Sequence, residues 1–369
     1  MWFSSSPSTG FRSRRWPGIL LALPLALCGC REQAPVILSQ FEAFGTRVDV
    51  NLVGVSRDQA RQASTIVAQD FAYLQQAWTA TDSGHLARVN RRLGTGQPFV
   101  APPALLPLIR LSQTYESQSG GLFNPAIGKL TNLWGFDRNL LGGHPPPTSE
   151  SIARLVAARP RIADIAIEGL YLKGSNPAVE LDFSAIAKGY AIDLAMHHLM
   201  DLGVRNALIQ AGGDLRAIGE RSGQPWRIPI LRPSGSGVFA MIAIRGDESL
   251  VTTADYDRNF IFKGTLYHAI LDPRTGWPAA QTRSVTVIHS QAAGAAAAAN
   301  ALFVAGPDAW QGVAAAMDVR YVMLVDAAGR VQMTQAMADR LELVDTQEEI
   351  LIPGTQPLQT QPLASGAIL

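Results

Sequence analysis

Cysteine is nearly absent from this chain of 369 residues, and both copies, Cys28 and Cys30, stand before residue 31. The body after them has no disulfide available, so its stability has to come from an apolar core. An excess of charge is missing too: 31 Lys and Arg balance 30 Asp and Glu, for a formal net charge of +1. That excludes the strongly basic surface on which nucleic-acid binding depends. No apolar run is long and uninterrupted enough for a membrane-spanning helix, and residues 18–27 are too short for one. What the chain does have is apolar content, 47% against 17% charged residues. This is the balance of a globular protein with one large domain or two modest ones, not of a disordered chain.

The first thirty residues read apart from the rest. Arg12, Arg14 and Arg15 precede the apolar residues 18–27, in the order of a signal peptide. Leu27-Cys28-Gly29-Cys30 resembles a bacterial lipobox with Cys30 as the lipidated residue; an ordinary secretory signal with incidental cysteines is the plainer alternative. The lipobox reading gives a lipoprotein signal peptide (1–30), a body (31–352) and a flexible tail rich in Pro, Gln and Thr (353–369). It predicts an exported protein, held at the periplasmic side of a bacterial membrane by lipid on Cys30.

Along the body, Val48, Val50 and Leu52 alternate with Arg47, Asp49 and Asn51, the period of a half-buried strand. Helices are predicted over 57–78, where Ile66, Phe71 and Leu74 recur at helical spacing, over 104–117 and over 185–202. A Gly- and Pro-rich loop at 142–147 is a candidate boundary between two lobes. Strands are predicted at 179–183, 206–210, 226–231, 239–245, 260–271 and 284–290. The alanine run 292–301 favours a buried helix over a linker, because Ala is the best helix former. The class is α+β, with mixed β-sheets and packed helices.

Three segments carry chemistry. In the first, a strand runs through Asp182 into small residues that open a helix bearing Lys188. Free N–H groups at a helix start, with a lysine one turn inside, suit a phosphate or pyrophosphate. The bland reading makes Asp182 a cap and Lys188 a solvated charge. In the second, Gly212-Gly213-Asp214 lets a ligand approach the backbone, with Asp214 as acceptor; a glycine bulge is the alternative. In the third, Asp272-Pro273-Arg274-Thr275-Gly276 consists of turn dipeptides. His144, His197, His198 and His289 show no metal-ligand spacing, and no Ser, His and acid stand in a hydrolase context.

These segments come in a recognisable order, together with Gly120-Gly121-Leu122-Phe123-Asn124-Pro125, Leu133-Trp134-Gly135-Phe136 and Ser284-Val285-Thr286-Val287. Over roughly residues 40 to 340 the chain resembles the ApbE-type FAD:protein FMN transferases. The resemblance implies a T-fold-related single large domain that binds FAD as substrate and uses a divalent cation, usually magnesium. It implies transfer of FMN from FAD to a Thr or Ser hydroxyl of a periplasmic or membrane redox protein, with release of AMP. By matching position, Phe44, Trp78, Leu122, Phe123, Asn124, Asp182, Lys188, Asp214 and Ile270 would contact the flavin nucleotide. The Ala185 carbonyl and Asn300 would be metal ligands, and Asp272 and His268 the catalytic candidates.

Several positions differ from that pattern. Ala269 stands where the family carries a His, with His268 one residue earlier on the opposite face of a strand. Ala296 and Asn300 stand where its later helix carries an Asp and a Thr that bind magnesium, which implies a weakened or altered metal site. Asn124 replaces an Asp, Ala254 a Gly, and Gly84-His85 a Ser-Glu pair. Two readings follow: an active FMN transferase, or a catalytically impaired flavin-binding or assembly lipoprotein of the same family.

Overall fold

A computed structural model describes residues 34–78, 84–136, 144–232, 237–344 and 350–353. The signal segment with Cys28 and Cys30, positions 142 and 143 of the predicted boundary loop, and the tail after Pro353 lie outside the described residues. The chain opens with a hairpin, β1 (Val36–Ala43) and β2 (Thr46–Val53), followed by α1 (Arg57–Trp78) and α2 (His85–Leu93). A smaller layer follows: β3 (Phe99–Val100), α3 (Leu106–Gln118), α4 (Gly128–Trp134), α5 (Ser149–Ala157), β4 (Ile165–Glu168) and β5 (Tyr171–Gly174). Then come α6 (Ala187–Asp201), β6 (Asn206–Ala211), β7 (Asp214–Ile218), β8 (Trp226–Leu231), β9 (Val238–Ile244) and β10 (Glu248–Ala254). The last third holds β11 (Asn259–Phe262), β12 (Thr265–His268), β13 (Thr282–His289), α7 (Ala292–Ala305) and α8 (Trp310–Ala316). It closes with β14 (Tyr321–Asp326), β15 (Val331–Met333), α9 (Gln335–Ala338), β16 (Leu341–Leu343) and β17 (Ile350–Leu351).

Nine strands form the main sheet in the order β1-β2-β6-β7-β10-β13-β14-β15-β17, antiparallel except for the β15–β17 pair. Both of its faces are covered. Along β14, Val322 and Leu324 enter the core shared with the helices, while Met323 and Val325 enter the core shared with the β16-β9-β8 sheet. A strand buried on both sides needs no polar alternation, which is why 321–326 shows none. The class is therefore α+β with mixed sheets, as expected, and the described residues from Ala34 onward form one unit rather than two lobes.

Helix α7 explains its alanines. Every residue from Ala292 to Ala305 except Asn300 is buried, and α6 lies close against it. A Cβ built on Gly189 would come 2.5 Å from the Ala292 carbonyl oxygen, so the crossing requires a glycine there. Asp193 of α6 accepts the N–H groups of Ala292 and Ala293, each at 2.9 Å, capping α7 from a neighbouring helix. Arg216 of β7 donates to Asp193 at 2.7 Å and grips Asp247 at 2.8 and 2.9 Å. Burial pushes the Asp193 carboxyl up, while the two N–H groups and Arg216 pull it back.

Two expectations need correction. The predicted strand 260–271 is a hairpin, β11 and β12, turned by Lys263 (φ 49°) and Gly264 (φ 80°). Two successive positive φ values make the tight turn whose twist suits a two-residue loop. The predicted strand 179–183 is irregular, with one parallel bridge from Glu180 to Ile127. It is pinned instead by Asn90, which accepts the Leu181 N–H at 2.8 Å and donates to the Leu181 carbonyl at 3.0 Å.

Candidate active site

Four stretches of chain meet in one pocket: Leu122 to Pro125, with Ile127 and Thr131 beyond them; Asp182, Ser184 and Ala185; Ala269 and Leu271; and Asn300. Each is fixed by a local cause. Gly120 and Gly121, at φ 64° and 86°, turn the chain sharply after α3. Phe123 then donates its N–H to Ser119 Oγ at 3.1 Å, with its ring buried edge-on to Tyr115. The Asn124 amide donates to the Pro160 carbonyl at 2.9 Å and accepts the Ala126 N–H at 2.9 Å, so its side chain is spent on the loop. Across the pocket, Asp182 donates its N–H to the Pro125 carbonyl at 2.8 Å, and its Oδ1 accepts the Ser184 N–H at 2.8 Å. That turn leads into α6 and leaves Ala185 on the wall.

One turn further along, Lys188 stands apart from the pocket lining. Its Nζ lies 3.5 Å from Asp214 Oδ1, beside the turn at Gly212 (φ 60°) and Thr46. Burial raises the Asp214 carboxyl above its usual range, and Lys188 opposes that rise. Asp257 is likewise raised by burial and lowered by Lys188. Phe44 and Trp78 stack here with ring centres 5.9 Å apart, and Trp78 meets Tyr190 edge-on at 5.6 Å. Phe44 sits at φ 51°, a conformation that a bulky residue rarely adopts, with its N–H donated to Gln75 Oε1 at 2.5 Å. Apart from Ile270, the predicted nucleotide contacts thus fall into two groups, a pocket and an aromatic and cationic flank, joined by the start of α6.

The catalytic candidates lie elsewhere. His268 is buried, edge-on to Phe303 at 5.4 Å, with its Nε2–H donated to the Ala279 carbonyl at 3.1 Å. Burial lowers its pKa to about 4, so the ring is neutral near pH 7. The Ile270 carbonyl accepts the Ala279 N–H at 3.0 Å. Asp272 is engaged by Arg274, whose backbone N–H and Nε donate to Oδ1 at 2.8 and 2.9 Å and whose Nη2 donates to Oδ2 at 2.8 Å. After β12, Ala269 and Leu271 share the pocket face while His268, Ile270 and Asp272 do not, as alternation along extended chain dictates. Sequence reasoning missed Thr131, Ser184, Leu271, Tyr190 and Asp257. The period-two count from Ala269 was the available signal for Leu271.

The residues do not fit a protein-held magnesium ion. The described residues contain no group of three or more His, Cys, Asp or Glu able to hold a metal. Ala296, one turn before Asn300, is 2% exposed and offers only a methyl group. Asp182 is the sole titratable side chain in the pocket lining.

The fold and this pocket define a class: the chain belongs to the ApbE family, whose model matches residues 44–323. Its relatives make that more particular. The FAD:protein FMN transferase of Rhodobacter capsulatus is 36% identical over 343 residues, 91% of this chain. The chain spans 65% of that relative's own length. The FAD:protein FMN transferase of Vibrio cholerae serotype O1 is 29% identical over 318 residues, covering 85% of this chain and 94% of the relative. Among solved structures, the ApbE protein of Thermotoga maritima superimposes with a TM-score of 0.75 at 27% identity, over 83% of this chain and 99% of that one. The flavinyl transferase ApbE of Pseudomonas stutzeri, in its apo form, gives 0.73 at 26% identity, over 84% of this chain and 97% of that one.

Proposed function

We propose that this protein is a FAD:protein FMN transferase, which moves FMN from FAD to a Thr or Ser hydroxyl of an acceptor protein of a redox system. The observation that carries the reading is the convergence of Leu122 to Asn124, Asp182, Ala185 and Asn300 on one pocket, in a chain of the ApbE family. The hydroxyl oxygen attacks the phosphorus on the riboflavin side, the bridging P–O bond breaks, and AMP leaves. Such a reaction depends mainly on positioning and on donors aimed at the phosphate oxygens. The pocket wall supplies the positioning, and half-buried Phe44, backed by the buried Trp78, offers a stacking surface for a ring of the nucleotide. We also propose export and lipid anchoring through Cys30 at the periplasmic side of a bacterial membrane, on the order of Arg12 to Arg15, residues 18–27 and the Cys30 motif.

The test is to incubate the full-length protein with FAD and an acceptor protein carrying a flavinylation threonine, then read covalent flavin fluorescence on the acceptor in a denaturing gel and AMP in solution. Fluorescence and AMP in equal amounts are expected. A specific observation favours the second reading, a flavin-binding or assembly protein without transfer: Ala269 puts a methyl group on the pocket wall. FAD bound tightly, with no flavin on the acceptor, would select it.

A further inference from the structure

Three of the pocket's polar side chains are left over from the fold. Asn300 is the one residue of α7 that is not buried; its amide lines the pocket and makes no side-chain hydrogen bond to a described residue. Ser184 Oγ and Thr131 Oγ1 are free in the same sense. The only carboxylate in the lining is Asp182, with one oxygen already taken by the Ser184 N–H.

This donor set is mismatched to a hard divalent cation. Magnesium releases its waters reluctantly and is held through carboxylates, whereas amide, hydroxyl and carbonyl oxygens carry no charge. An amide has what a carboxylate lacks, two N–H donors, and a pyrophosphate is rich in acceptors. A carboxylate at position 300 would need a cation between itself and a phosphate. An asparagine there meets the phosphate directly, through hydrogen bonds strengthened by the phosphate charge.

We infer that this pocket takes the pyrophosphate of FAD without a protein-held divalent cation, with Asn300 donating its amide N–H groups to a phosphate oxygen. The inference rests on the FAD-binding reading of the site and adds how the charge is met. It makes FAD binding indifferent to chelators.

The experiment titrates FAD into the full-length protein, followed by flavin fluorescence, once with EDTA and once with magnesium chloride, and titrates manganese(II) into FAD-free protein by electron paramagnetic resonance. Kd for FAD is expected to agree within about twofold between the two media, with no manganese bound. Asn300→Asp is expected to weaken FAD binding about tenfold or more in EDTA, with magnesium recovering most of the loss. Magnesium tightening FAD about tenfold in the unaltered protein overturns the inference, as does manganese held by the FAD-free protein. Equal FAD affinity of Asn300→Asp and the unaltered protein in EDTA also overturns it. If FAD binds in neither medium, the transferase reading falls and takes this inference with it; binding that requires magnesium defeats the inference alone.

Discussion

Lys188 and Asp214 face each other across 3.5 Å, the lysine from the first turn of α6 and the carboxylate from the start of β7. The Asp214 side chain is 7% exposed, so its charge depends on that partner. Removing the cation leaves a buried carboxylate uncompensated. Lys188→Met should lower stability by about 2 kcal/mol, and adding Asp214→Asn should recover most of it. The carboxyl is already raised in the fold, so the single variant's deficit should shrink as pH falls and Asp214 takes up a proton. Urea unfolding at pH 7 and pH 5 measures both; additive losses in the double variant would show that the pair is not coupled.

His268 gives the protein an acid sensitivity of its own. Its folded pKa of about 4 lies below the ordinary value of 6.5, so between those values the unfolded chain binds the proton that the fold refuses. Stability from this group is full above pH 6.5 and is lost as pH falls towards 4, by up to about 3 kcal/mol. His268→Gln, which keeps a donor for the Ala279 carbonyl, should flatten the fall in Tm between pH 7 and pH 4.5. FAD affinity at pH 7 should stay unchanged, because the ring faces Phe303 and not the pocket. A weakened affinity would return His268 to the site.

Gly189→Ala tests the α6–α7 crossing. Its new methyl would meet backbone of Ala292 and Ala293, which cannot swing aside as a side chain can. A loss of about 2 to 3 kcal/mol is expected in denaturant unfolding. Wild-type stability in this variant would mean that the helices sit further apart.

Ala269→His would place an imidazole on the pocket wall. If transfer is slow for want of a base, flavin incorporation should rise by about tenfold or more, with the gain growing through the titration range of the new histidine. Rate measurements on the acceptor at pH 6 to 8 decide it. An unchanged rate would mean that proton removal does not limit the reaction.

Long, periodic elements could be read from sequence: the strand at Thr46–Val53, the helix at Arg57–Trp78 and the buried alanine helix all fall where pattern placed them. The pocket was half legible. Motif order brought out Leu122 to Asn124, Asp182, Ala185 and Asn300, which the fold gathers. His268 and Asp272 lie off the pocket lining, His268 on the face that alternation from Ala269 gives it. A hairpin at Lys263 and Gly264 reset the strand on which alternation is counted, and Arg274 claimed the carboxylate two residues away. Lys188 was sited correctly on its helix, but its partner, Asp214, comes from another strand that spacing alone could not bring near.

The pocket wall at Ala269 and Leu271 hangs from the foot of β11–β12, a sheet of only two strands, while the strands around β10 are locked between two cores. Two-stranded hairpins are weak on their own, and proteins open locally where few strands support one another. Amide hydrogen exchange should therefore run on two clocks, with β11 and β12 exchanging long before β6, β7, β10 and β13. Such a seam would let the pocket wall peel back along one edge while the main sheet stays shut.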